Sequence, residues 1–351
     1  MSTPVGPLGS GIGGGVELTV HGIALGLRER GHDVVIVAPS HSIGDVAPVV
    51  QVPGNMQMSS QSVGRDAFVV MPVDAVLPAM IDAAAAISGA DVIVNCAYDW
   101  LPFWSARYLP VPVAHLVSMG SLNRAMDAAI GAELRRCPGS VAVHSNAQAA
   151  TFEFGDQLRV LGNGLDLSRY IPCYEPLDHL ASVGRISPEK GIEDIVEVAS
   201  RTGITVRLYG IVQDYGYWAH VLARHPDAPI HLEGFLPTDE LQARLGRARA
   251  VLMTPRWVEA FGNVAIEALA CGVPVIAYAR GGPSEIITDG ETGFVVAPDD
   301  VDGVINAVGR LDEIDRRACR KRAEQEYSVE AMAGRVEAWL VEVVAASKHD
   351  A

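Results

Sequence analysis

The chain is 351 residues long, enough for two domains of about 150–200 residues each and too long for one ordinary hydrophobic core. Its apolar fraction of 49% indicates a well-buried globular protein and excludes a disordered one. The formal net charge of −15 argues against nucleic acid and anionic lipid as main partners, because both bind basic protein faces. This charge is still compatible with a small anionic ligand in a local pocket.

The five cysteines are scattered, with neither a C-x-x-C pair nor histidines at metal-ligand spacing. We therefore predict reduced thiols in a cytoplasmic protein and no metal site. There is no run of about 18 uncharged apolar residues, so no membrane-spanning helix is predicted. The first residues also lack the basic and apolar segments of a secretory signal.

Strand-like and helix-like segments alternate along nearly the whole chain. Short β-branched runs, separated by helical stretches, occur at 34–37, 92–94, 111–113, 182–184, 206–209, 251–253 and 273–276. Strands separated by helices in this way are typical of βαβ units and parallel sheets. Two such series predict an α/β protein of two Rossmann-like, doubly wound domains that face a central cleft.

A turn-rich stretch at 163–176 divides the two series. We predict a first domain over residues 1–170, a second over 171–328, and a last helical segment over 329–351. Ser328 is the predicted N-cap of that last helix.

The beginning of the chain is unusual for such a domain. A Rossmann-like domain opens with a buried strand that leads into a glycine-rich turn, but only Met1, Ser2 and Thr3 precede the turn here. Either the numbered chain begins late or the first sheet lacks one strand.

The glycine-rich turn covers residues 9–17 and leads into a helical pattern that ends near residue 31. Glycines let a ligand approach the backbone closely, and the following helix presents unpaired N–H groups and a partial positive charge. A diphosphate is the ligand that fits this chemistry. The alternative is a plain turn, since the spacing differs from the dinucleotide-binding fingerprint.

A second loop, residues 184–191, carries Arg185 and Lys190 between a predicted strand and a predicted helix. The arginine offers a planar fork to phosphate oxygens and the lysine a compact charge, so both can converge on one anion. As two solvated surface cations they would face the positive end of the helix dipole. Glu189 could relieve part of that conflict.

The strongest motif joins Glu259 and Glu267, eight positions apart. The first falls in a loop after a predicted strand, and the second lies two turns into the next helix. Glu267 would be costly to bury among apolar neighbours unless it were paired. Two adjacent hydroxyls of a sugar or ribose would pair it; the alternative is a solvated helix face.

These two glutamates resemble the E-x7-E motif of the retaining family-4 glycosyltransferases, which have the GT-B fold. The similarity continues through 281–285 and 290–293. The loop 184–191 resembles the phosphate-binding loop of that family, and 163–166 resembles its interdomain segment. The resemblance covers essentially the full chain.

The resemblance implies a donor site for a nucleoside-diphosphate sugar such as a UDP-sugar. The diphosphate would bind the amides of Gly13, Gly14 and Gly15 together with Arg185 and Lys190. The other donor contacts that it implies are Glu267 with the ribose, Glu259 with the 3- or 4-hydroxyl of the sugar, Phe235 and Leu236 beside the base, and the amides of Ala260, Phe261, Gly262 and Asn263 beside the sugar.

Catalysis would then rest on Arg185, Lys190 and Glu259. The resemblance implies front-face attack with retention, with neither a metal nor a cofactor and with only small-molecule donor and acceptor as partners. It also implies that the last helix crosses back to the first domain. It sets no expectation for the oligomeric state.

Segments 2–19, 98–102 and 118–121 narrow the resemblance to cyanobacterial-type pteridine glucosyltransferases, which transfer glucose from UDP-glucose to tetrahydrobiopterin. Asp99 would accept the amino-pyrimidinone edge of the pterin while Trp100 or Tyr98 stacks on its ring. Alternatively, these aromatic residues pack in the core and Asp99 caps the next helix. The polar loop 55–61 is a further candidate for contact with the acceptor.

Many members of the family have a histidine near the reacting carbon. Here Ser118 takes that position, followed by Met119, and both are candidate acceptor contacts. Ser118 could position a substrate but could not act as a comparable base. His115 would point to the opposite face of the strand and is predicted to lie in the core.

Two other functions fit the sequence. A glycosyltransferase acting on a lipid or sugar acceptor at a membrane would need a basic amphipathic helix, but residues 1–170 hold nine arginines, no lysine and fourteen acidic residues. A nucleotide-sugar-binding protein without turnover is favoured only by Ser118.

Overall fold

The computed structural model describes residues 1–58 and 64–348, and the chain forms two compact units. The first unit comprises Met1–Gly164 and the last helix, and the second comprises Leu165–Ser328. Within the described residues, the strands of each unit pair in parallel and alternate with helices along the chain. The predicted α/β fold with two parallel-sheet domains is therefore confirmed.

The first unit has two sheets among its described residues. Their strands are β1 (Ile36–Pro39), β2 (Val49–Val52), β3 (Ile93–Asn95), β4 (Val113–Leu116), β5 (Val141–Val143) and β6 (Arg159–Val160). β1 pairs with β2, and β3 to β6 form a four-stranded sheet in chain order. The helices of this part of the chain are α1 (Gly15–Glu29), α2 (Val76–Ala85), α3 (Trp100–Ser105), α4 (Arg124–Arg136) and α5 (Asn146–Ala149).

The first two residues lie between β1 and β3. The Ser2 amide donates to the Val37 carbonyl at 2.9 Å, and the Cys96 amide donates to the Met1 carbonyl at 3.1 Å. These bonds are the ones that a central strand would make, so residues 1–2 join the two sheets. Residues 1–2 therefore take the place, between β1 and β3, of the strand that the sequence pattern lacks.

The second unit has one six-stranded parallel sheet. Its strands are β7 (Leu180–Val183), β8 (Val206–Tyr209), β9 (Ile230–Gly234), β10 (Val251–Met253), β11 (Val275–Tyr278) and β12 (Gly293–Val296), in the spatial order β12-β11-β10-β7-β8-β9. The helices are α6 (Ile192–Thr202), α7 (Tyr215–Arg224), α8 (Thr238–Leu245), α9 (Asn263–Ala270), α10 (Pro283–Ile286), α11 (Val301–Gly309) and α12 (Arg316–Glu326).

The central strands of this sheet are buried along almost their whole length. Every residue of β11 is buried, as are three of the four residues of β7. Parallel strands covered by helices on both faces read as continuous apolar runs, and the runs predicted at 182–184 and 273–276 overlap β7 and β11 with an offset of up to two residues. The one large core of the unit is built around these strands.

The last helix, α13 (Val329–Ser347), belongs to the first unit and packs on α1. The helices approach closely at Gly26, where an added Cβ would lie 2.6 Å from the Cβ of Ala333. Trp339 is 1% exposed and donates its indole N–H to the Gly139 carbonyl at 2.7 Å. The helix therefore completes the core of the first unit.

Candidate functional site

In the second unit, the order of the strands reverses between β7 and β10. In open parallel sheets of this kind, ligands bind outside the carboxyl ends of the strands at the point of reversal. The loop after β7 is 184–191, and the loop after β10 is 254–262. Both loops were singled out from the sequence, and the topology places them side by side.

The two loops touch through their backbones at Gly191. This residue has φ +63°, and a Cβ there would lie 1.9 Å from the Thr254 carbonyl oxygen. Thr254 Oγ1 donates to the Gly191 carbonyl at 2.8 Å, and the Arg256 amide donates to the Glu189 carbonyl at 2.9 Å. Only glycine allows both this conformation and this close approach, so Gly191 sets the spacing between the two loops.

Lys190 and Glu259 meet where the loops converge. Lys190 Nζ lies 2.6 Å from Glu259 Oε2, and the indole N–H of Trp257 donates to the same oxygen at 3.2 Å. Lys190 Nζ also lies 5.2 Å from the centre of the Trp257 ring, within the range of a cation–π interaction. Both charged side chains keep part of their surface exposed, so a ligand can reach them.

Arg185 lies at the start of the same loop. Its guanidinium is 3.2 Å from Glu189 Oε1 and donates to Gln213 Oε1 at 2.9 Å. Glu189, the expected partner for part of this positive charge, forms the ion pair with Arg185. About a third of the Arg185 side chain is exposed.

The backbone around Glu259 is held by a pair of glycines. Gly281 has φ +96°, and a Cβ there would lie 2.2 Å from the Glu259 carbonyl oxygen. The Gly282 amide donates to that oxygen at 2.8 Å. The Gly-Gly pair therefore sets the position of Glu259 from the opposite side of its loop.

Glu267 lies in the middle of α9 and is buried. Burial raises the pKa of its carboxyl group from 4.5 to about 7. The Tyr170 hydroxyl, itself on a 3% exposed residue, donates to Glu267 Oε1 at 3.1 Å and partly offsets that rise. The carboxylate of Glu267, which would be costly to bury alone, is thus paired with Tyr170, and it ionises near neutral pH.

The remaining predicted donor contacts lie at the same end of the sheet. Phe235 follows β9 and is 56% exposed, and Leu236 beside it is half-buried against the core. Phe261 is buried and makes an edge contact with Tyr327. Ala260 and Gly262 complete the loop that ends at Asn263, the first residue of α9.

The glycine-rich loop of the first unit is organised by Glu17. One carboxylate oxygen accepts the amides of Gly9 at 2.7 Å and Gly11 at 3.1 Å, and the other accepts the Gly13 amide at 2.6 Å. The Gly14 amide donates to the Gly11 carbonyl at 3.2 Å. Gly13 and Gly14, which were assigned to a diphosphate, are therefore engaged inside the loop, and Gly15 begins α1.

The predicted acceptor residues follow β3 and β4. Asp99 caps α3 by accepting the Leu101 amide at 2.8 Å, as the alternative interpretation expected, and burial raises the pKa of its carboxyl group. The Tyr98 hydroxyl donates to the Gly120 carbonyl at 3.0 Å. Trp100 is the first residue of α3 and is half-buried.

The segment after β4 carries Ser118 and Met119. The Met119 carbonyl accepts from the Gln148 amide group at 2.9 Å, and Ser118 is half-buried. The Gln57 side chain lies close enough to Asp99 to lower the pKa of its carboxyl group, so the described end of the loop 55–61 lies near Asp99. Residues 59–61 of that loop lie outside the described residues.

His115 is fully buried on β4, in line with the prediction of a core histidine. It stacks on Phe103 with ring centres 4.1 Å apart, and its Nδ1 lies 3.2 Å from the Asn95 amide group. Burial lowers the pKa of the imidazole to about 3. His115 is therefore neutral at physiological pH.

Three residues that make these contacts are not predicted as partners from the sequence: Trp257, Glu17 and Tyr170. Trp257 stands two positions before Glu259, and Glu17 closes the glycine-rich turn, so their proximity to the motifs was a usable signal. Tyr170 lies 97 positions from Glu267 in a turn-rich stretch. Nothing in its local sequence indicates that pairing.

Over residues 1–58 and 64–348, no three histidine, cysteine, aspartate or glutamate side chains are grouped as metal ligands. In the same ranges, no helix combines the length and apolar character needed to span a bilayer. The five cysteines are present as free thiols.

Comparison with known proteins shows which families the two halves of the chain match. Residues 13–169 match the family described as Glycosyltransferase Family 4, and residues 174–326 match the family described as Glycosyl transferases group 1. Glycogen synthase from Mycobacterium tuberculosis is 34% identical over 181 residues, covering 48% of this chain and 42% of that protein. The chain thus spans less than half the length of that relative.

Two further proteins are similar over nearly the full chain. D-inositol 3-phosphate glycosyltransferase from Geodermatophilus obscurus is 27% identical over 415 residues, covering 99% of this chain and 90% of that protein. Sucrose-phosphate synthase from Thermosynechococcus elongatus superposes with a TM-score of 0.75 at 20% identity, covering 98% of this chain and 97% of the other. The chain therefore has the GT-B fold of the glycosyltransferases, and its two halves match the family 4 and group 1 models respectively.

Proposed function

We propose that this protein is a retaining, metal-independent glycosyltransferase that moves a hexose from a UDP-sugar to a small acceptor. The observation that carries the proposal is the contact between Lys190 and Glu259 at the point of strand reversal in the second unit. The ammonium group of Lys190 suits a phosphate, and the carboxylate of Glu259 suits a sugar hydroxyl. A donor made of a sugar joined to a diphosphate presents both groups side by side.

Lys190 and Arg185 are the groups that stabilise the leaving diphosphate. Negative charge builds on the phosphate oxygen as the glycosidic bond breaks, and fixed cations in a site that excludes water stabilise it strongly. Lys190 has three N–H donors, so it can bind a phosphate oxygen while it keeps its bond to Glu259. The ammonium group would then link the diphosphate to the carboxylate that holds the sugar.

The two glutamates recognise hydroxyl groups. Glu259, held by Lys190 and Trp257, accepts from the 3- or 4-hydroxyl of the sugar. Glu267 accepts from the ribose, which requires its ionised form. Because the pKa of Glu267 is about 7, donor binding should weaken as the pH falls through neutrality.

No nucleophile is assigned to the chemical step. The acceptor hydroxyl attacks on the face that the diphosphate leaves, and the departing phosphate oxygen takes the acceptor proton. Arg185 and Lys190 hold that oxygen in place, so retention follows without a covalent enzyme intermediate.

The remaining donor contacts are proposed from the family pattern. Phe235 and Leu236 border the base, and the segment 260–263 borders the sugar at the start of α9, where backbone N–H groups favour electronegative atoms. In the first unit, Gly13, Gly14 and Gly15 are the proposed diphosphate contacts. At Gly13 the phosphate would have to displace the carboxylate of Glu17.

For the acceptor, the first candidate is a pteridine such as tetrahydrobiopterin, with glucose as the sugar. Its proposed contacts are Tyr98, Asp99, Trp100, Ser118 and Met119. Asp99 uses Oδ1 in the cap of α3, so the pterin edge would bind the other oxygen. This candidate rests on the similarity of the segments 98–102 and 118–121 to pteridine glucosyltransferases.

The second candidate is an acceptor that carries a phosphate group. It is supported by the relative named D-inositol 3-phosphate glycosyltransferase, which is similar over 99% of the chain.

A two-step experiment tests the proposal. Thermal-shift measurements with UDP-glucose, UDP-N-acetylglucosamine and GDP-mannose identify the donor, because a ligand that binds only the native state raises its melting temperature. Release of the nucleoside diphosphate is then measured with tetrahydrobiopterin, with inositol 3-phosphate and without acceptor. We expect a UDP-sugar to stabilise the protein and one acceptor to accelerate UDP release.

The variants Lys190→Ala and Glu259→Gln serve as controls in the second step, and both should release little UDP. Stabilisation by a donor without release in any mixture would favour a binding protein without turnover. If no nucleotide sugar changes the melting temperature, the proposal fails.

A further inference from the structure

The first unit contains a cavity that the donor chemistry does not use. It has a volume of about 530 Å³ and lies between α3, α4 and the segment 65–69. Ligand pockets typically measure about 300–1,000 Å³ and are lined mainly by apolar side chains. Apart from Trp100, no residue predicted to bind donor or acceptor lines this cavity.

Aromatic rings form one wall of the cavity. Trp100 and Trp104 on α3 have ring centres 6.4 Å apart, and Trp104 remains 48% exposed. Phe103 lies between them in sequence, is 2% exposed and also lines the cavity. A wall of indole and phenyl groups favours stacking with a flat ring.

The opposite wall is a row of alanines on α4. Ala125, Ala128, Ala129 and Ala132 follow the i, i+3, i+4, i+7 spacing of one helix face. Alanine side chains occupy little of the space beside the aromatic residues. The cavity, here called the slot, is therefore lined by aromatic side chains of one helix and small side chains of another.

Three arginines surround this apolar slot: Arg65, Arg107 and Arg124. Asp66 is the one acidic residue among the lining side chains. This local excess of positive charge contrasts with the net charge of −15 of the whole chain. An anion at the slot would be attracted by the local charge and would find donors of planar geometry.

Two of the arginines are available to a ligand at low cost, whereas Arg65 is held by Asp127 at 3.1 Å and by Ser121. Arg124 pairs with Asp66 at 3.1 Å, but both side chains are more than 70% exposed, and such exposed ion pairs contribute little. Arg107 donates Nε to the Trp104 carbonyl at 3.1 Å. Within the described residues it has no carboxylate partner.

We propose that this cavity binds a small molecule that combines a flat aromatic body with an anionic group. The ring lies against Trp100 and Trp104, and the anion binds Arg107 and Arg124. The cavity shares Trp100 with the proposed acceptor contacts, but the inference concerns direct binding to the first unit and does not require the transfer reaction.

The test uses two fluorescent probes with the same aromatic body. The first, 8-anilinonaphthalene-1-sulfonate, carries a negative charge, and the second, N-phenyl-1-naphthylamine, carries none. Both are titrated into the full-length protein and into variants whose folding is checked by circular dichroism. We expect the anionic probe to bind at one site and the neutral probe to bind at least about tenfold more weakly.

Three variants separate the contributions. Ala128→Trp fills the slot from an exposed helix position and should weaken both probes at least tenfold. The double variant Arg107→Gln with Arg124→Gln should weaken the anionic probe about tenfold and leave the neutral one unchanged. Arg135→Gln, an exposed arginine on α4 outside the cavity, should change neither.

The proposal is overturned if the anionic probe fails to bind the unaltered protein, if Ala128→Trp leaves its affinity intact, or if the arginine variant affects both probes equally. Nucleotide-sugar binding is measured by thermal shift on the same variants. If the unaltered protein binds no nucleotide sugar, the proposed transfer function is contradicted, but the proposed binding at the cavity is not.

Discussion

The glycine-containing loops of the two units look alike in sequence but are stabilised differently. Loop 9–17 closes on its own side chain, because the carboxylate of Glu17 binds three of its amides. Loop 184–191 is instead fixed by a neighbouring loop, through the backbone contact of Gly191 with Thr254. Its charged side chains therefore remain directed at other groups, Lys190 at Glu259 and Arg185 at Glu189.

This difference shows what a glycine-rich loop needs in order to bind an anion. Amides that already have a carboxylate partner must exchange it before they can bind phosphate, whereas a lysine with spare N–H donors can add a partner. We therefore expect loop 184–191 to bind a diphosphate directly and loop 9–17 to bind one only after Glu17 is displaced. Four variants test this difference between the loops.

The largest effect is expected for Lys190→Ala. Removal of one fixed donor to a developing oxyanion costs about 10²–10³ in turnover, so UDP release should fall by that factor. Lys321→Ala, at an exposed position on α12, is the matched control and should retain normal turnover. If both variants are equally active, loop 184–191 has no catalytic role.

Gly191→Ala tests the contact between the loops. The left-handed conformation costs about 1–2 kcal/mol for alanine, and moving the Thr254 carbonyl away adds about 1–3 kcal/mol. We expect the free energy of unfolding, measured in urea, to fall by about 3 kcal/mol. Gly203→Ala shares the positive φ but has open space around it, so it should cost only about 1 kcal/mol.

Equal losses in these two glycine variants would show that the backbone approach at Gly191 contributes nothing to stability. Donor binding by Gly203→Ala should be normal.

Glu17→Ala tests the self-closed loop. Hydrogen bonds to a charged group contribute about 1.5–3 kcal/mol each when buried. Because water can replace part of this set, we expect the free energy of unfolding to fall by about 2 kcal/mol in total. Glu29→Ala, at the exposed end of the same helix, should change it by less than about 0.5 kcal/mol.

The opposite result for Glu17→Ala would show that both loops can bind an anion. In that case the variant would keep its stability and bind the donor more tightly, because the Glu17 carboxylate only occupies an anion site in loop 9–17.

The smallest effect is expected for Tyr170→Phe. The hydroxyl lowers the pKa of Glu267 from an even higher value, so its loss should move the pH midpoint of donor binding upward by up to about one unit. Isothermal titration with the donor between pH 6 and 8.5 measures this shift. Tyr215→Phe removes the hydroxyl of a residue that is 75% exposed and should leave the midpoint unchanged.

Glu267 also affects stability in the opposite direction to its effect on binding. Its pKa is about 7 in the folded protein and about 4.5 in the unfolded chain, so the native state binds the extra proton. Its contribution is fully present below pH 4.5 and is lost as the pH rises through 7. A donor that binds the ionised form is therefore needed most where the unliganded protein is least stabilised.

The sequence located the second unit more completely than the first. The β-branched runs at 206–209 and 251–253 coincide with β8 and β10, because strands buried on both faces need continuous apolar residues. No β-branched run marks β5, where an alanine separates the two valines, or β6, which has only two residues.

The candidate site shows the same limit. Lys190 and Glu259 were singled out from motifs, but their contact spans 69 positions and depends on the order of β7 and β10. Trp100 is predicted from the sequence as an acceptor contact, but the sequence does not predict the cavity between α3 and α4 that this residue lines. A cavity is defined by the distance between elements, and local sequence does not encode that distance.

The path of the chain has a consequence for synthesis on the ribosome. Leu165–Ser328 forms one contiguous unit, whereas the first unit requires α13, whose Trp339 and neighbouring side chains complete the core against α1. The portion translated later can therefore finish folding before the portion translated earlier. Until α13 has been synthesised, α1 keeps an uncovered apolar stripe, so the earlier portion exposes apolar surface for longer.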